Sequence, residues 1–219
     1  MPLVLFALLV AGCSMSAPTG SLSFLALGDS YTVGEGVPTR DTWPHVVARR
    51  LRADGVSLAD PTVIATTGWT TDELDAVITD RTPDLAPPYD VVTLLIGVND
   101  QYRGRPADGF RAPFRALLAR AVGFAGGDAS RVVVVSIPDW GVTPFAEGRD
   151  RAQIAAEIDA FNAVARDEAG AAGARWADVT PHSRAHPDLV ADDGLHPSGE
   201  AYAGWADVIG PEIRAVLDR

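Results

Sequence analysis

The sequence contains no lysine: all 18 of its basic residues are arginine, against 29 Asp and Glu. Without a lysine amine, the chain cannot form a Schiff base with a carbonyl or with pyridoxal phosphate, and it has neither a phosphate-loop lysine nor a Ser-Lys dyad. The formal net charge of −11 argues against nucleic acid as a partner, because neutralising phosphates takes positive charge. Amine catalysis is therefore excluded, and nucleic-acid binding is disfavoured.

Cysteine is almost absent as well, since Cys13 is the single one. A lone cysteine can form neither an internal disulfide nor a cysteine-rich zinc site. The chain of 219 residues is 47% hydrophobic and 21% charged, which is a globular composition with enough length for a well-buried core. No shift in composition marks a second domain, so we expect one folded domain over residues 21–219.

The first twelve residues are almost wholly apolar. They are too few to span a membrane, which takes about 20, and they have the length of the apolar region of a signal peptide. Val10-Ala11-Gly12-Cys13 resembles the bacterial lipobox. That resemblance implies that residues 1–12 are removed, that Cys13 is lipidated at the head of a linker over residues 13–20, and that the protein is exported and anchored to a bacterial membrane. The signal departs from the usual pattern because Met1-Pro2, before the apolar stretch, carries no Arg or Lys. The alternative interpretation of this stretch is a buried N-terminal strand or helix.

Further along, short apolar runs alternate with segments of helical period, a pattern typical of stacked βαβ units. Runs such as VVTLLI and VVVVSI are almost wholly apolar, which indicates strands covered on both faces. The predicted strands are Leu22–Leu27, Thr62–Ala65, Val91–Ile96, Val132–Ile137 and Ala174–Val179. The predicted helices are Trp43–Leu51, Thr71–Ile78, Phe110–Val122, Ile154–Ala169 and Gly199–Leu217. We therefore predict a three-layer α/β/α sandwich around a mostly parallel five-stranded sheet.

Ligands meet such a sheet at the carboxyl ends of its strands, so the segments that follow the apolar runs are compared together. They are Gly28–Gly36, Thr67–Thr70 and Gly97–Asp100, and Asp193–Pro197 precedes the last helix. These four blocks, in this order, resemble the GDSL or SGNH family of serine hydrolases, over nearly the whole of residues 21–217. The resemblance implies a flavodoxin-like fold and ester hydrolysis through an acyl-enzyme, with no metal and no organic cofactor.

Ser30, His196 and Asp193 form the candidate catalytic triad. A serine near its free pKa is a poor nucleophile and needs a base, and the histidine imidazole titrates near neutrality. Asp193, three residues before His196, can reach the other ring nitrogen and fix its tautomer. Asp192 is a rival for that role, but the family spacing favours Asp193. Asp29 is interpreted as structural, supporting the turn by hydrogen bonds.

The resemblance assigns the oxyanion hole to the backbone N–H groups of Ser30 and Gly68 and to the side-chain amide of Asn99. The residue types fit, because glycine lets a ligand approach its N–H closely and Asn brings a neutral donor. Taken singly, Ser30 and Gly68 read as turn residues and Asn99 as an Asx turn or helix cap. The joint match of all four blocks favours catalysis.

Four aromatic residues follow strand ends and are candidates for the wall of a substrate pocket: Tyr31, Trp69, Tyr102 and Trp140. Tyr31 replaces the Leu of the family pattern. Arg103 and Arg105 follow Tyr102 and could meet an anionic group on a substrate, although surface arginines usually serve solubility alone.

His182 and His186 have the i, i+4 spacing of a helical metal pair. Pro181 and Pro187 flank them, however, and no third ligand is near, so we predict loop histidines and no metal site.

The sequence thus predicts an exported carboxylic-ester hydrolase whose partners are a small-molecule, lipid or glycan ester and, through the lipid anchor, a membrane. A small-acyl esterase, a lysophospholipase or thioesterase, and a carbohydrate deacetylase remain open. The alternative from another class is a non-catalytic surface lipoprotein that uses the fold as a binding module.

Overall fold

A computed structural model of the chain describes residues 20–81 and 85–218. The predicted leader, including Cys13, lies outside the described residues. Within the described residues, no helix is both long and apolar enough to cross a membrane.

Five parallel strands form one sheet in the order β2-β1-β3-β4-β5. Their bounds are β1 Phe24–Gly28, β2 Thr62–Ala65, β3 Val91–Leu95, β4 Val132–Val135 and β5 Arg175–Ala177. Strands β1, β3 and β4 are buried at every position, which confirms that helices cover both faces of the sheet. Gly28 at the end of β1 lies in register with Ala65 of β2 and Leu95 of β3. The segments that follow these three strands therefore start from the same edge.

The described chain has eight α-helices, and they form the two outer layers. Their bounds are α1 Ser30–Val33, α2 Trp43–Ala53, α3 Thr71–Arg81, α4 Val98–Tyr102, α5 Ala107–Phe124, α6 Arg151–Ala172, α7 Thr180–Ala185 and α8 Gly199–Leu217. Helices α2 and α8 pack together, and α5 packs against both α3 and α6. The predicted three-layer α/β sandwich is confirmed.

Two predicted strands, β4 and β5, each end two residues earlier than the sequence indicates, and hydrogen bonds from side chains explain where. The backbone N–H and carbonyl of Ile137 bond to the side chain of Asn162, at 2.8 and 2.9 Å, instead of extending β4. The backbone N–H of Val179 donates to the Ser136 hydroxyl at 2.8 Å, beyond the end of β5. Apolar character continues past the ladder at both places, so the pattern overstates the length of each strand.

Three short helices, α1, α4 and α7, were not predicted. Each has only four to six residues, too few to show a helical period in the sequence. Helix α7 carries His182, and the His182 and His186 rings lie 4.6 Å apart, so the prediction of loop histidines is wrong for His182. Among the described residues, no group of three or more His, Cys, Asp or Glu is arranged to hold a metal ion.

Candidate active site

The candidate nucleophile lies in a tight turn directly after β1. Asp29 caps helix α1 by accepting a hydrogen bond from the Tyr31 N–H at 3.0 Å, and Ser30 is the first residue of the helix. Gly28 is required there, because a Cβ on it would come within 2.2 Å of the Thr32 hydroxyl and 2.6 Å of the Leu95 carbonyl oxygen. This close packing holds Ser30, which is 4% exposed, at the edge of the sheet.

The carboxylate of Asp193 bonds to the imidazole of His196. Asp193 Oδ2 lies 2.5 Å from Nδ1 of the ring, and Oδ1 accepts the N–H groups of Leu195 and His196 at 2.9 Å. Burial on its own would raise the pKa of Asp193, but the hydrogen bonds from the His196 ring and from these two N–H groups outweigh it, so its pKa lies below the usual value. A carboxylate that stays ionised is thereby held on Nδ1, and Nε2 is left for another partner.

The second turn of the site follows β2. Thr66 to Trp69 form a β-turn in which the Trp69 N–H donates to the Thr66 carbonyl at 3.3 Å, and Gly68 has a φ of +89°. The Thr67 hydroxyl donates to Glu35, which follows α1, so the second turn is tied to the nucleophile turn.

Asn99 lies in the third segment, in helix α4 after β3. Its Nδ2 donates to the Trp69 carbonyl at 2.9 Å, which fixes the plane of the amide and leaves its second N–H for another acceptor. The neighbouring Asp100 is 1% exposed and accepts from both the N–H and the hydroxyl of Thr71, at 3.0 and 2.9 Å.

These segments surround one cleft with a volume of about 190 Å³. Its lining includes Ser30, Gly68, Asn99 and His196, so four of the five predicted catalytic and oxyanion residues face the same space, and Asp193 lies behind His196. No Asp, Glu or Arg of the described residues lines it. The rest of the lining is mostly apolar: Tyr31, Thr67, Val98, Tyr102, Trp140, Phe145 and Leu195.

Three of the four predicted pocket aromatics line the cleft: Tyr31, Tyr102 and Trp140. Trp69 does not, because its side chain packs against the core and its carbonyl bonds to Asn99. Phe145 lines the cleft instead, with its ring 6.1 Å from that of Trp140 and 6.4 Å from that of Tyr102. The sequence carried no signal for Phe145, because it lies in a one-turn 3-10 helix, Pro144–Ala146, well beyond the strand end.

An arginine holds this aromatic wall together. The guanidinium carbon of Arg149 lies between 5.2 and 5.4 Å from the ring centroids of Tyr102, Trp140 and Phe145, and Nη2 donates to the Tyr102 hydroxyl at 3.2 Å. Such cation–π contacts connect the loop that carries Phe145 to helix α4.

Arg103 and Arg105 both have partners within the described chain. Arg103 bonds to the Gly68 carbonyl and to Glu73, while Arg105 pairs with Asp72 and Asp100. Neither lines the cleft. The suggested role in meeting an anionic substrate group is therefore replaced by one inside the protein.

Comparison with known proteins gives the class. Residues 26–203 match the model of the GDSL-like lipase/acylhydrolase family. An arylesterase from Vibrio mimicus is 26% identical, over 95% of this chain and 96% of its own length. The chain belongs to the GDSL-like lipase/acylhydrolase family, and it is a carboxylic ester hydrolase.

Solved structures share the fold. The psychrotrophic esterase EstA from Pseudoalteromonas sp. superposes with a TM-score of 0.66 at 18% identity, covering 90% of this chain and 99% of its own. The acetyl-xylooligosaccharide esterase Axe2 from Geobacillus stearmophilus has a TM-score of 0.67 at 20% identity, covering 89% and 95%. At such identities the likeness concerns the fold alone.

Asp29, beside the candidate nucleophile Ser30, makes the stability of the protein depend on pH. Burial, as the main cause, raises its pKa to about 8, and its Oδ2 has no hydrogen-bond partner among the described residues. The folded protein therefore keeps a proton that the unfolded chain loses near pH 4, so stability falls as the pH rises from about 4 to 8, by at most about 1.4 kcal/mol per pH unit.

We expect Asp29→Asn, which keeps the acceptor for the Tyr31 N–H, to remove this slope. Its melting temperature relative to the wild type should rise steadily between pH 5 and pH 8 in calorimetric scans. Asp54→Asn, at an exposed helix end, is the matched control and should follow the wild type. Parallel profiles for Asp29→Asn and the wild type would contradict a neutral Asp29.

Proposed function

We propose that the chain cleaves carboxylic esters through a Ser30-His196-Asp193 triad. Ser30 Oγ attacks the acyl carbon while His196 Nε2 takes its proton, and His196 then gives that proton to the leaving alcohol as the C–O bond breaks. Water attacks the resulting acyl-enzyme with the same proton transfers reversed, releasing the acid and free Ser30. The observation that carries the proposal is the His196–Asp193 bond beside a cleft shared with Ser30, Gly68 and Asn99.

The negative charge on the tetrahedral intermediate would be bound by three donors: the N–H of Ser30, the N–H of Gly68 and Nδ2 of Asn99. Loss of one such preorganised donor typically costs about 3–4 kcal/mol of transition-state stabilisation. The hydrogen bond from Asn99 to the Trp69 carbonyl supports this role, because it holds the amide in place before substrate arrives.

The proposed substrates are esters of short acids with apolar or aromatic alcohols. A cleft of about 190 Å³ is small for a long acyl chain, and its wall of Tyr102, Trp140 and Phe145 offers flat apolar contact without a carboxylate or arginine. The arylesterase name of the Vibrio mimicus relative agrees with this proposal.

We also propose that the chain is exported and lipid-anchored through Cys13. The support is the sequence alone: an uncharged apolar stretch, a lipobox-like Val10-Ala11-Gly12-Cys13, and no other cysteine that could take the lipid.

The triad is tested with p-nitrophenyl acetate and a fluorophosphonate probe. Ser30→Ala, and separately His196→Ala, should lower kcat at least about a thousandfold, because the members of a triad act as one unit. The probe should label the wild type and not Ser30→Ala. Asp193→Asn should also lose most activity, whereas Asp192→Asn, the matched neighbour, should keep it. Turnover that survives Ser30→Ala would refute the mechanism.

Phe145→Ala tests the substrate class. Phe145 is 38% exposed, so its truncation should leave the fold intact. We expect the KM for phenyl acetate to rise several-fold, by about 1 kcal/mol of lost ring contact, while the values for ethyl acetate stay unchanged. Acetylated xylooligosaccharide, a lysophospholipid and p-nitrophenyl esters of increasing chain length form the comparison set. A preference for the acetylated xylooligosaccharide or the lysophospholipid over phenyl acetate would refute the aromatic-alcohol proposal, and a preference for long-chain p-nitrophenyl esters over p-nitrophenyl acetate would refute the short-acid proposal.

The anchor is tested by labelling with a radioactive fatty acid in a bacterial host. The wild type should incorporate label and fractionate with membranes, and Cys13→Ser should do neither. Ser14→Ala, next to the proposed lipidation site, serves as the control and should behave as the wild type. Label that persists in Cys13→Ser would disprove lipidation at this residue.

A further inference from the structure

The direction of the Gly68 N–H depends on the form of the turn from Thr66 to Trp69. Its central peptide bond joins Thr67 to Gly68 and carries that N–H. A positive φ at the third turn residue, with no positive φ at Thr67, is the pattern of a type II turn. A type I turn of the same four residues would have its central peptide flipped, so the N–H would point to the opposite side. Anything that holds Gly68 in this form also aims its N–H.

Helix α4 contacts this turn through two side chains that are one helical turn apart. Asn99 Nδ2 donates to the Trp69 carbonyl at 2.9 Å, and Arg103 Nη2 donates to the Gly68 carbonyl at 2.6 Å. Asn99 lies in α4 and Arg103 caps its C-terminus, and positions i and i+4 lie on one face of a helix, so two consecutive carbonyls of the turn bond to the same side of α4 and its cap. The Arg103 bond is charge-assisted, which makes it stronger than a neutral one.

Glu73, in the first turn of α3, keeps Arg103 in place. Its Oε1 accepts from Arg103 Nη1 at 3.2 Å, and its Oε2 accepts from the N–H and hydroxyl of Thr70 at 2.8 and 3.1 Å. The Arg103 and Glu73 side chains are 52% and 45% exposed, and an ion pair so exposed contributes little to stability. The Arg103–Glu73 ion pair therefore contributes little to the stability of the fold. The hydrogen bond from Arg103 to the Gly68 carbonyl, by contrast, acts directly on the turn.

We propose that Arg103 is a positioning residue for catalysis: through the Gly68 carbonyl it holds the turn in the form that aims the Gly68 N–H into the cleft. The inference rests on the proposed function, in which that N–H binds the oxyanion. Arg103 does not line the cleft and so acts on the rate through Gly68 and not by touching substrate.

The test uses Arg103→Ala, Arg103→Lys and added guanidinium chloride. With p-nitrophenyl acetate, Arg103→Ala should lower kcat about tenfold or more. Complete loss of an oxyanion donor lowers kcat about a hundredfold or more, and Arg103→Ala would misalign that donor without removing it. KM should change by less than about twofold, and the melting temperature by no more than a few degrees, as for other exposed ion pairs. Millimolar guanidinium should restore part of the lost kcat in Arg103→Ala and leave the wild type unaffected. The kcat of Arg103→Lys should lie between those of Arg103→Ala and the wild type.

Arg120→Ala is the matched control. Arg120 also bonds to α3, through Asp75 and Thr79, but does not contact the turn, so its kcat should remain that of the wild type. A wild-type kcat in Arg103→Ala would overturn the proposal, and so would a rise confined to KM, which would mean contact with substrate. A kcat loss matched by Arg120→Ala, or explained by unfolding, would overturn it as well. Ser30→Ala tests the triad separately. If Ser30→Ala is inactive while Arg103→Ala keeps the wild-type kcat, the triad stands and only the role of Arg103 is overturned.

Discussion

All five strands run in the same direction with three of them in register at their ends, and the site depends on this single constraint. Gly28 of β1 is aligned with Ala65 of β2 and Leu95 of β3. The turns that follow these strands therefore start from one edge of the sheet and need only a few residues to converge. Ser30, Gly68 and Asn99 lie two to four residues beyond their strands. The buried, helix-covered sheet thus fixes the distances between groups that are far apart in the chain.

The turns themselves are joined by hydrogen bonds that cross between segments. Thr67 bonds to Glu35 after the nucleophile helix, and Asn99 and Arg103 bond to successive carbonyls of the second turn. Asp100, nearly fully buried, accepts two bonds from Thr71. Oxyanion donors must be oriented before the charge develops, because reorientation during the reaction would consume the stabilisation they offer. Hydrogen bonds to backbone carbonyls therefore position the candidate site, in addition to the bonds between its side chains.

Much of this could be read from the sequence, and the remainder depended on long-range contacts. Apolar runs predicted all five strands, most clearly β1, β3 and β4, where full burial leaves a local signature, and the four motif blocks marked Ser30, Gly68, Asn99 and His196. Trp69 was wrongly expected in the pocket because closeness to a motif does not reveal which way a side chain points. Phe145 was missed because it reaches the cleft only through a loop whose path depends on rings and an arginine elsewhere.

Because the chain has no lysine, arginine is the basic side chain that pairs with its buried carboxylates. Four carboxylate side chains are buried among the described residues, and three of them bond to arginine. The pairs are Asp100 with Arg105, Asp139 with Arg184, and Glu168 with Arg111 and Arg115. Asp29 is the exception: it forms no ion pair among these residues, and burial raises its pKa to about 8. An ionised Asp29 beside Ser30 would repel the charge that develops on the oxyanion. In the proposed mechanism, a neutral Asp29 would cap helix α1, which begins at Ser30, without that repulsion, and a buried carboxylate with no arginine partner among the described residues fits that arrangement.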